Sequence, residues 1–317
     1  MPCYKPLRGY RSRSVNPSGK RGIVFDVKQG YVDLPVEVPC GQCIGCRLER
    51  SRQWAIRCMH EASLHEDNCF VTLTYNNDYL PSDYSLHVDH FQKFMKRLRK
   101  KFSDKTIRFF HCGEYGEKTN RPHYHAVIFG FDFPDKKYFT ERQGYRLYTS
   151  EILHSATDNC LWPFGHCLIG GVTFESAAYV ARYCLKKVTG KGLHVKDANG
   201  LTHYEHLAED TGEIIDVKPE YVTMSRRPGI GKGWYDLYKD DIYPSDEIIV
   251  RGKKMRVPKY YDQQFEIENA EEMVKIKGRR MAYGEKMADN NTEERLRVRE
   301  AVKQKTLDQF LPRHKEI

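Results

Sequence analysis

The 317-residue chain has no apolar run near the ~20 residues that a membrane span needs. Its opening, MPCYKPLRGYRSRS, is basic but has no apolar stretch behind it, so a secretory signal peptide is not expected. Without that signal the 10 cysteines do not suggest a disulfide framework, and metal ligation or burial is the better expectation. No internal repeat is visible, which argues against a solenoid. The glycine-rich MSRRPGIGKGW (224–234) lacks a P-loop's spacing: Arg226 replaces its first glycine and Gly233 the Ser or Thr after Lys232. It reads as a turn with DNA contacts.

What is present is charge and a sizeable apolar fraction. Hydrophobic residues make up 40% of the chain, enough for a real core, and charged residues 30%. The net charge is +9, concentrated in KFMKRLRKK (93–101), SRRPGIGKG (225–233) and VKIKGRRM (274–281). A basic balance favours a polyanionic partner, nucleic acid first, although a cationic helix face is often only solvated.

Strands are expected over 69–76, 106–116, 123–133, 166–174 and 220–227, with further candidates in GIVFDV and GYVDLPVEV near the N-terminus. Apolar residues at helical spacing predict helices from Cys46 to about Leu64, over 87–102 and over 175–190, and GWYDLYKDD reads as a short helix. A hairpin is expected over 246–261, turning at Gly252-Lys253. The short connection at 116–122 makes strands 106–116 and 123–133 an antiparallel pair. The fold class is therefore α+β: a central antiparallel sheet of about five strands, with helices packed on one side. Composition divides the chain into a Cys-rich basic segment (1–66), a core (67–262) with an inserted loop (191–218), and a charged helical tail (263–317) docked only loosely.

The most informative stretch is RPHYHAVIFG (121–130). Residues i and i+2 of a strand share a face, so His123 and His125 aim together and Tyr124 points the other way. In the hairpin, Glu114 falls near His123. A His-His-carboxylate set with open positions suits a catalytic metal: Mg²⁺ or Mn²⁺, or Fe(II) as in an oxygenase. Glu117 also precedes the histidines and is a rival third ligand. A bare H-x-H also occurs as plain surface histidines.

In AAYVARYCLKK (177–187), Tyr179 and Tyr183 sit four apart on one helix face, and Lys186 and Lys187 follow Tyr183 at i+3 and i+4. A nearby ammonium favours the phenolate, and a metal polarises a phosphate under attack. Helical Tyr-x-x-x-Tyr is also common as core packing.

Cys40, Cys43 and Cys46 form C-x₂-C-x₂-C. A ferredoxin-type run would place a cysteine where Arg50 stands. A structural Zn²⁺ needs a fourth ligand from Cys3, Cys58 or His60, and Cys3 is the best placed because the N-terminus is free to fold back. Unligated thiols and a redox role are the alternatives. Arg47, Arg50, Arg52 and Arg57 on the helix that follows are candidate phosphate contacts.

Taken together, these motifs resemble the HUH endonucleases that start rolling-circle replication. CFVTLTYN is similar to their first motif, GEYGEKTNRPHYHAVIFG to the second and AAYVARYCLKK to the third. The similarity is closer still to the replication initiators of microviruses, in particular the gokushovirus branch, where segments like CGQCIGCRLERSRQWAIRCMHE and MSRRPGIG also recur. It covers residues 1 to about 262 in order. The resemblance implies that His123, His125 and Glu114 hold a divalent cation, Mg²⁺ or Mn²⁺, with Tyr179 and Tyr183 as alternating nucleophiles and Lys186 as helper. It further implies a metal-dependent enzyme that nicks and rejoins single-stranded DNA through a 5′-phosphotyrosine. Its partners would be the single-stranded or supercoiled viral origin and the host DNA polymerase and helicase, in the host bacterial cytoplasm and away from any membrane. The rival readings are a non-catalytic, zinc-containing nucleic-acid-binding protein, an Fe(II) oxygenase, and a plasmid-transfer relaxase. Relaxases usually carry their tyrosines ahead of the histidines, the reverse of the order here.

Overall fold

The computed structural model describes residues 3–17, 19–116, 119–142, 144–155, 160–183, 193–208 and 212–310, with backbone alone at 182, 183 and 310. The chain forms two compact units, Met1–Arg50 with Lys277–Lys315, and Ser51–Ile276. The division falls inside helices α1 (Ile44–Ala62) and α6 (Ala270–Lys286). Among the described residues no helix is long and apolar enough to cross a membrane.

The first unit holds a three-stranded antiparallel sheet of β1 (Leu7–Val15), β2 (Arg21–Val24) and β3 (Gly30–Val38), in the order β2-β1-β3. Its apolar side chains are mostly exposed, among them Leu7, Val15, Ile23, Val32 and Leu34. Helix α7 (Glu293–Phe310) also belongs to this unit and buries Leu296 against Tyr4 and Cys43.

The second unit is built on a seven-stranded antiparallel sheet. Its strands are β4 (Asn68–Thr74), β5 (Arg108–Tyr115), β6 (Pro122–Phe129), β7 (Lys137–Arg142), β8 (Tyr145–Thr149), β9 (Cys167–Gly170) and β12 (Tyr221–Met224). The order is β12-β5-β6-β4-β9-β8-β7. The five strands expected from sequence form the centre and one edge, and the β7–β8 hairpin extends the other edge. The architecture is α+β, with helices packed against an antiparallel sheet.

Those helices cover both faces of the sheet, not one. Helix α2 (Val88–Lys101) lays Phe91, Phe94, Met95 and Leu98 on the face that carries Val71, Leu73, Tyr124, Ala126 and Ile128. Its cations Lys93, Lys96, Lys100 and Lys101 are exposed. On the opposite face, Phe70, Phe110, Val127 and Phe129 pack against Ala55, Cys58 and Ala62 of α1 and Ala177, Val180 and Ala181 of α3 (Phe174–Tyr183). Both faces of β6 are therefore dry, which is why HYHAVIF stays apolar after its histidines.

The inserted loop 191–218 contains a small hairpin, β10 (Glu205–Leu207) with β11 (Ile214–Asp216). The hairpin β13 (Glu247–Val250) and β14 (Lys253–Arg256) turns at Arg251-Gly252, one residue earlier than expected, because both residues adopt positive φ (52° and 72°). The first part of the C-terminal tail packs into the second unit. Met273 and Ile276 of α6 are buried with Tyr235 of α4 (Lys232–Ile242), the helix expected from GWYDLYKDD, and with Tyr261 and Phe265 of α5 (Lys259–Glu268).

Two features of the basic motifs are structural. Arg57 does not reach for phosphate: it is buried between Trp54 and Tyr260, 4.0 and 3.9 Å from their ring centroids, and its Nε donates to the Ile230 carbonyl. The RRPGIG turn is held to α1 by the Gly231 N–H, which donates to Glu61 (2.7 Å), and by Arg108, which bonds both Glu61 and the Pro228 carbonyl. Gly231 has φ +78°, and a Cβ there would lie 2.5 Å from the Tyr261 hydroxyl oxygen. Arg226 and Arg227 remain exposed.

His60 provides a stability test. It is buried, stacked 3.5 Å from Trp234, and hydrogen-bonded to the Tyr261 hydroxyl at 3.0 Å. Burial pushes it down to about 3 from its ordinary 6.5. The folded chain holds it neutral while the unfolded chain protonates it. Its contribution is therefore complete above the ordinary value and is lost as the pH falls towards the depressed one. The expected loss is roughly 2 kcal/mol between neutral pH and about pH 5. Urea unfolding of wild type and His60→Gln at the two pH values checks this: the variant should lose most of the difference, and equal pH dependence in both chains would refute the assignment.

Candidate metal and nucleophile site

The site lies on strands β4, β5 and β6 at the centre of the sheet, on the face covered by α1 and α3. Register pairs Glu114 with His123, Cys112 with His125, and Thr72 with His125. Tyr124 points to the other face, where its hydroxyl bonds Tyr75 (2.7 Å) and accepts from the His87 N–H (2.9 Å). That anchor fixes the strand and, with it, the direction of both histidines.

The imidazole Nε2 atoms converge on one carboxylate oxygen. Glu114 Oε1 lies 3.0 Å from His123 Nε2 and 2.8 Å from His125 Nε2. Glu114 and His125 are each 1% exposed, and His123 is the more open of the pair. Burial works against ionisation of Glu114, but bonding and charge from His123 and His125 outweigh it and hold the carboxyl below its usual range.

The outer ring nitrogens say what the inner ones can do. His123 Nδ1 is 3.1 Å from the Arg121 carbonyl, which can only accept, so Nδ1 donates there and Nε2 is the atom left to face Glu114 or a cation. His125 Nδ1 is 2.9 Å from the Thr72 hydroxyl, which can accept in the same way. The three ligand atoms lie within 4.8 Å of one another, so the donor set and its spacing suit a divalent cation.

Helix α3 brings Tyr179 to this group. The residue is 8% exposed, its ring stands edge-on to His125 with centroids 5.0 Å apart, and it also packs against Phe70 at 6.3 Å. Thr173 starts the helix by accepting from the Ser176 N–H, and the Ser51 hydroxyl donates to the Ala178 carbonyl, which ties α3 to α1. Tyr183 ends α3, and its side chain lies outside the described residues, as do Lys186 and Glu117.

Sequence reasoning missed Thr72. Its signal is alternation in NCFVTLT, which puts Phe70, Thr72 and Thr74 on one face, but only the β4–β6 pairing shows that this face is the histidines' own. Elsewhere, the four cysteines Cys3, Cys40, Cys43 and Cys46 gather in the first unit, with sulfurs within 4.8 Å of one another. A third group, His87, Asp89 and His90, went unread and is engaged by Asp83 (2.9 Å to His87) and by the Tyr75 hydroxyl (2.7 Å to His90).

A family profile described as replication-associated protein ORF2/G2P matches residues 68–188, a span that includes Glu114, both histidines and Tyr179. The replication-associated protein VP4 of Bdellovibrio phage phiMH2K is 32% identical over 298 residues, 89% of this chain and 84% of that protein. The chain belongs to the phage replication-associated proteins. Within that family, the replication-associated protein ORF2 of Spiroplasma virus 4 is 32% identical over 84% of the chain and 81% of its own length. The replication-associated protein ORF4 of Chlamydia phage 1 is 36% identical over 71% of the chain and 52% of its own length. The resemblance read from the sequence motifs thus extends over most of the chain. No solved structure matches it significantly.

Proposed function

We propose that this replication-associated protein starts rolling-circle replication by nicking single-stranded DNA at a phage origin and later rejoining it, with a tyrosine as nucleophile. The observation that carries the reading is the edge-on contact of the Tyr179 ring with His125, at 5.0 Å, beside two imidazoles and a carboxylate aimed at one point. A divalent cation, Mg²⁺ or Mn²⁺, held by Glu114, His123 and His125 would supply Lewis-acid polarisation of the scissile phosphate.

The chain's own residues do the rest. A phenolic oxygen of Tyr179 or Tyr183 loses its proton and bonds to phosphorus. The bond from phosphorus to the 3′ oxygen breaks, and that oxygen takes a proton. The products are a 5′-phosphotyrosine and a 3′-OH, which a host polymerase would extend while a helicase opens the duplex. Lys186 would favour the phenolate. After one round the second tyrosine would cut the regenerated site, and the freed 3′-OH would reseal the circle by the reverse attack. Joining needs no nucleotide cofactor, because the phosphotyrosine conserves the bond. The setting would be the host bacterial cytoplasm.

The test is incubation with single-stranded origin DNA and Mn²⁺, followed by a denaturing gel. A DNA-linked protein band that requires the metal supports the reading. DNA binding without such a band would favour the alternative, a zinc-containing nucleic-acid-binding protein without catalysis.

Thr72→Val tests the support of His125. It keeps the side chain's shape and removes the hydroxyl that bonds Nδ1. Loss of such an outer partner typically costs about 10–100-fold in metal affinity or activity. A Mn²⁺ titration of cleavage should show that drop, and an unchanged titration would remove Thr72 from the site.

A further inference from the structure

We propose that Cys3, Cys40, Cys43 and Cys46 bind one zinc ion in a closed, four-thiolate structural site that holds the first unit together, apart from the DNA chemistry.

The geometry comes first. The four sulfurs lie within 4.8 Å of one another, and Cys3 and Cys43 Sγ are 3.9 Å apart. A tetrahedron with zinc–sulfur bonds of ~2.3 Å has edges of ~3.8 Å, so the cluster is close to the size that one ion needs. An iron–sulfur cluster would hold its thiolates further apart, because its own iron and sulfide atoms fill the space between them.

The backbone is arranged for negative sulfur. The Cys40 N–H donates to Cys3 Sγ (3.2 Å), those of Gln42 and Cys43 to Cys40 Sγ (3.4 and 3.2 Å), and that of Tyr4 to Cys43 Sγ (3.3 Å). Donors aimed at sulfur favour thiolate over thiol and orient the ligand, the role that outer-shell groups play around metals. Helix α1 begins at Ile44, so Cys46 lies in its first turn, where the helix dipole also favours negative charge.

The need for a staple comes from the packing. Among the described residues, the buried hydrophobic cluster of this unit consists of Tyr4, Cys43 and Leu296, while the β1–β3 sheet leaves most of its apolar side chains in solvent. A unit with so little apolar burial usually depends on a metal or disulfides. The four thiols join residue 3 to the turn and first helical residues at 40–46, in the cluster that also buries Leu296 of α7, so the ion would fasten two separate stretches of chain.

The experiment uses the full chain, purified under reducing conditions. Metal analysis should find about one tightly held zinc per chain. That zinc should be lost in Cys40→Ser and Cys46→Ser and retained in the double variant His123→Ala, His125→Ala. Because the serine variants can fail to fold, wild type exchanged with Co²⁺ gives an independent reading. A tetrahedral four-sulfur site produces intense visible bands together with near-ultraviolet thiolate charge transfer. Absence of both zinc and these bands in reduced wild type would overturn the proposal. So would loss of the zinc in the histidine variant alone, an iron–sulfur absorption spectrum, or a mass showing the four cysteines paired as disulfides.

Discussion

The chain carrying Tyr179→Phe and Tyr183→Phe together should form no covalent DNA adduct and lose at least ~10⁴-fold of its cleavage, the scale seen when a nucleophile is removed. Phenylalanine deletes only the hydroxyl. The Tyr179 ring keeps its contacts with Phe70 and His125, so neither the helix nor the histidine pair should shift. Binding of single-stranded DNA and thermal unfolding should match wild type, which separates lost chemistry from lost fold. Each single variant should still form one adduct, since the remaining hydroxyl can attack. Neither should release a resealed circle, because the second cut requires the second tyrosine. A denaturing gel and a circularisation assay read both steps. An adduct surviving in the double variant would end the case for a tyrosine nucleophile on this helix, whereas equal circle yield from a single variant would show that one tyrosine serves both cuts.

The site was legible to the extent that its geometry is local. The short connection between the two strands forces a hairpin, the hairpin forces the pairing of Glu114 with His123, and the two-residue period forces His123 and His125 onto one face. None of these steps needs a distant residue. What stayed hidden depends on distant contacts. Arg57 looks like a phosphate ligand until Tyr260, far along the chain, closes over it. Thr72 is one of several threonines until β4 is seen beside β6. The helices on both faces had a local signal, the unbroken apolar run in β6, which marks a strand with two dry faces. The β7–β8 hairpin was missed for the opposite reason: an edge strand such as β7 is largely exposed, so its apolar and polar residues do not sort by burial.

Replacing Glu114 with Gln should lower metal-dependent cleavage by about a thousandfold while leaving the fold intact. Glutamine has nearly the same shape, and its amide can still bond the imidazoles, so the buried position is not left empty. Only the charge goes, and the carboxyl that carries it is held ionised by His123 and His125 despite its burial. Losing one anionic ligand weakens the grip on a divalent cation and with it the stabilisation of charge on the phosphate. A loss of about 4 kcal/mol corresponds to that thousandfold at about 1.4 kcal/mol per decade. The defect should show first as a higher Mn²⁺ requirement, so raising the metal concentration should recover part of the rate. That partial recovery separates a lost ligand from a lost acid or base, which no amount of metal replaces. Full activity in the variant, or wild-type cleavage that persists in a chelator, would show that the carboxylate between the two histidines serves only to hold them in place.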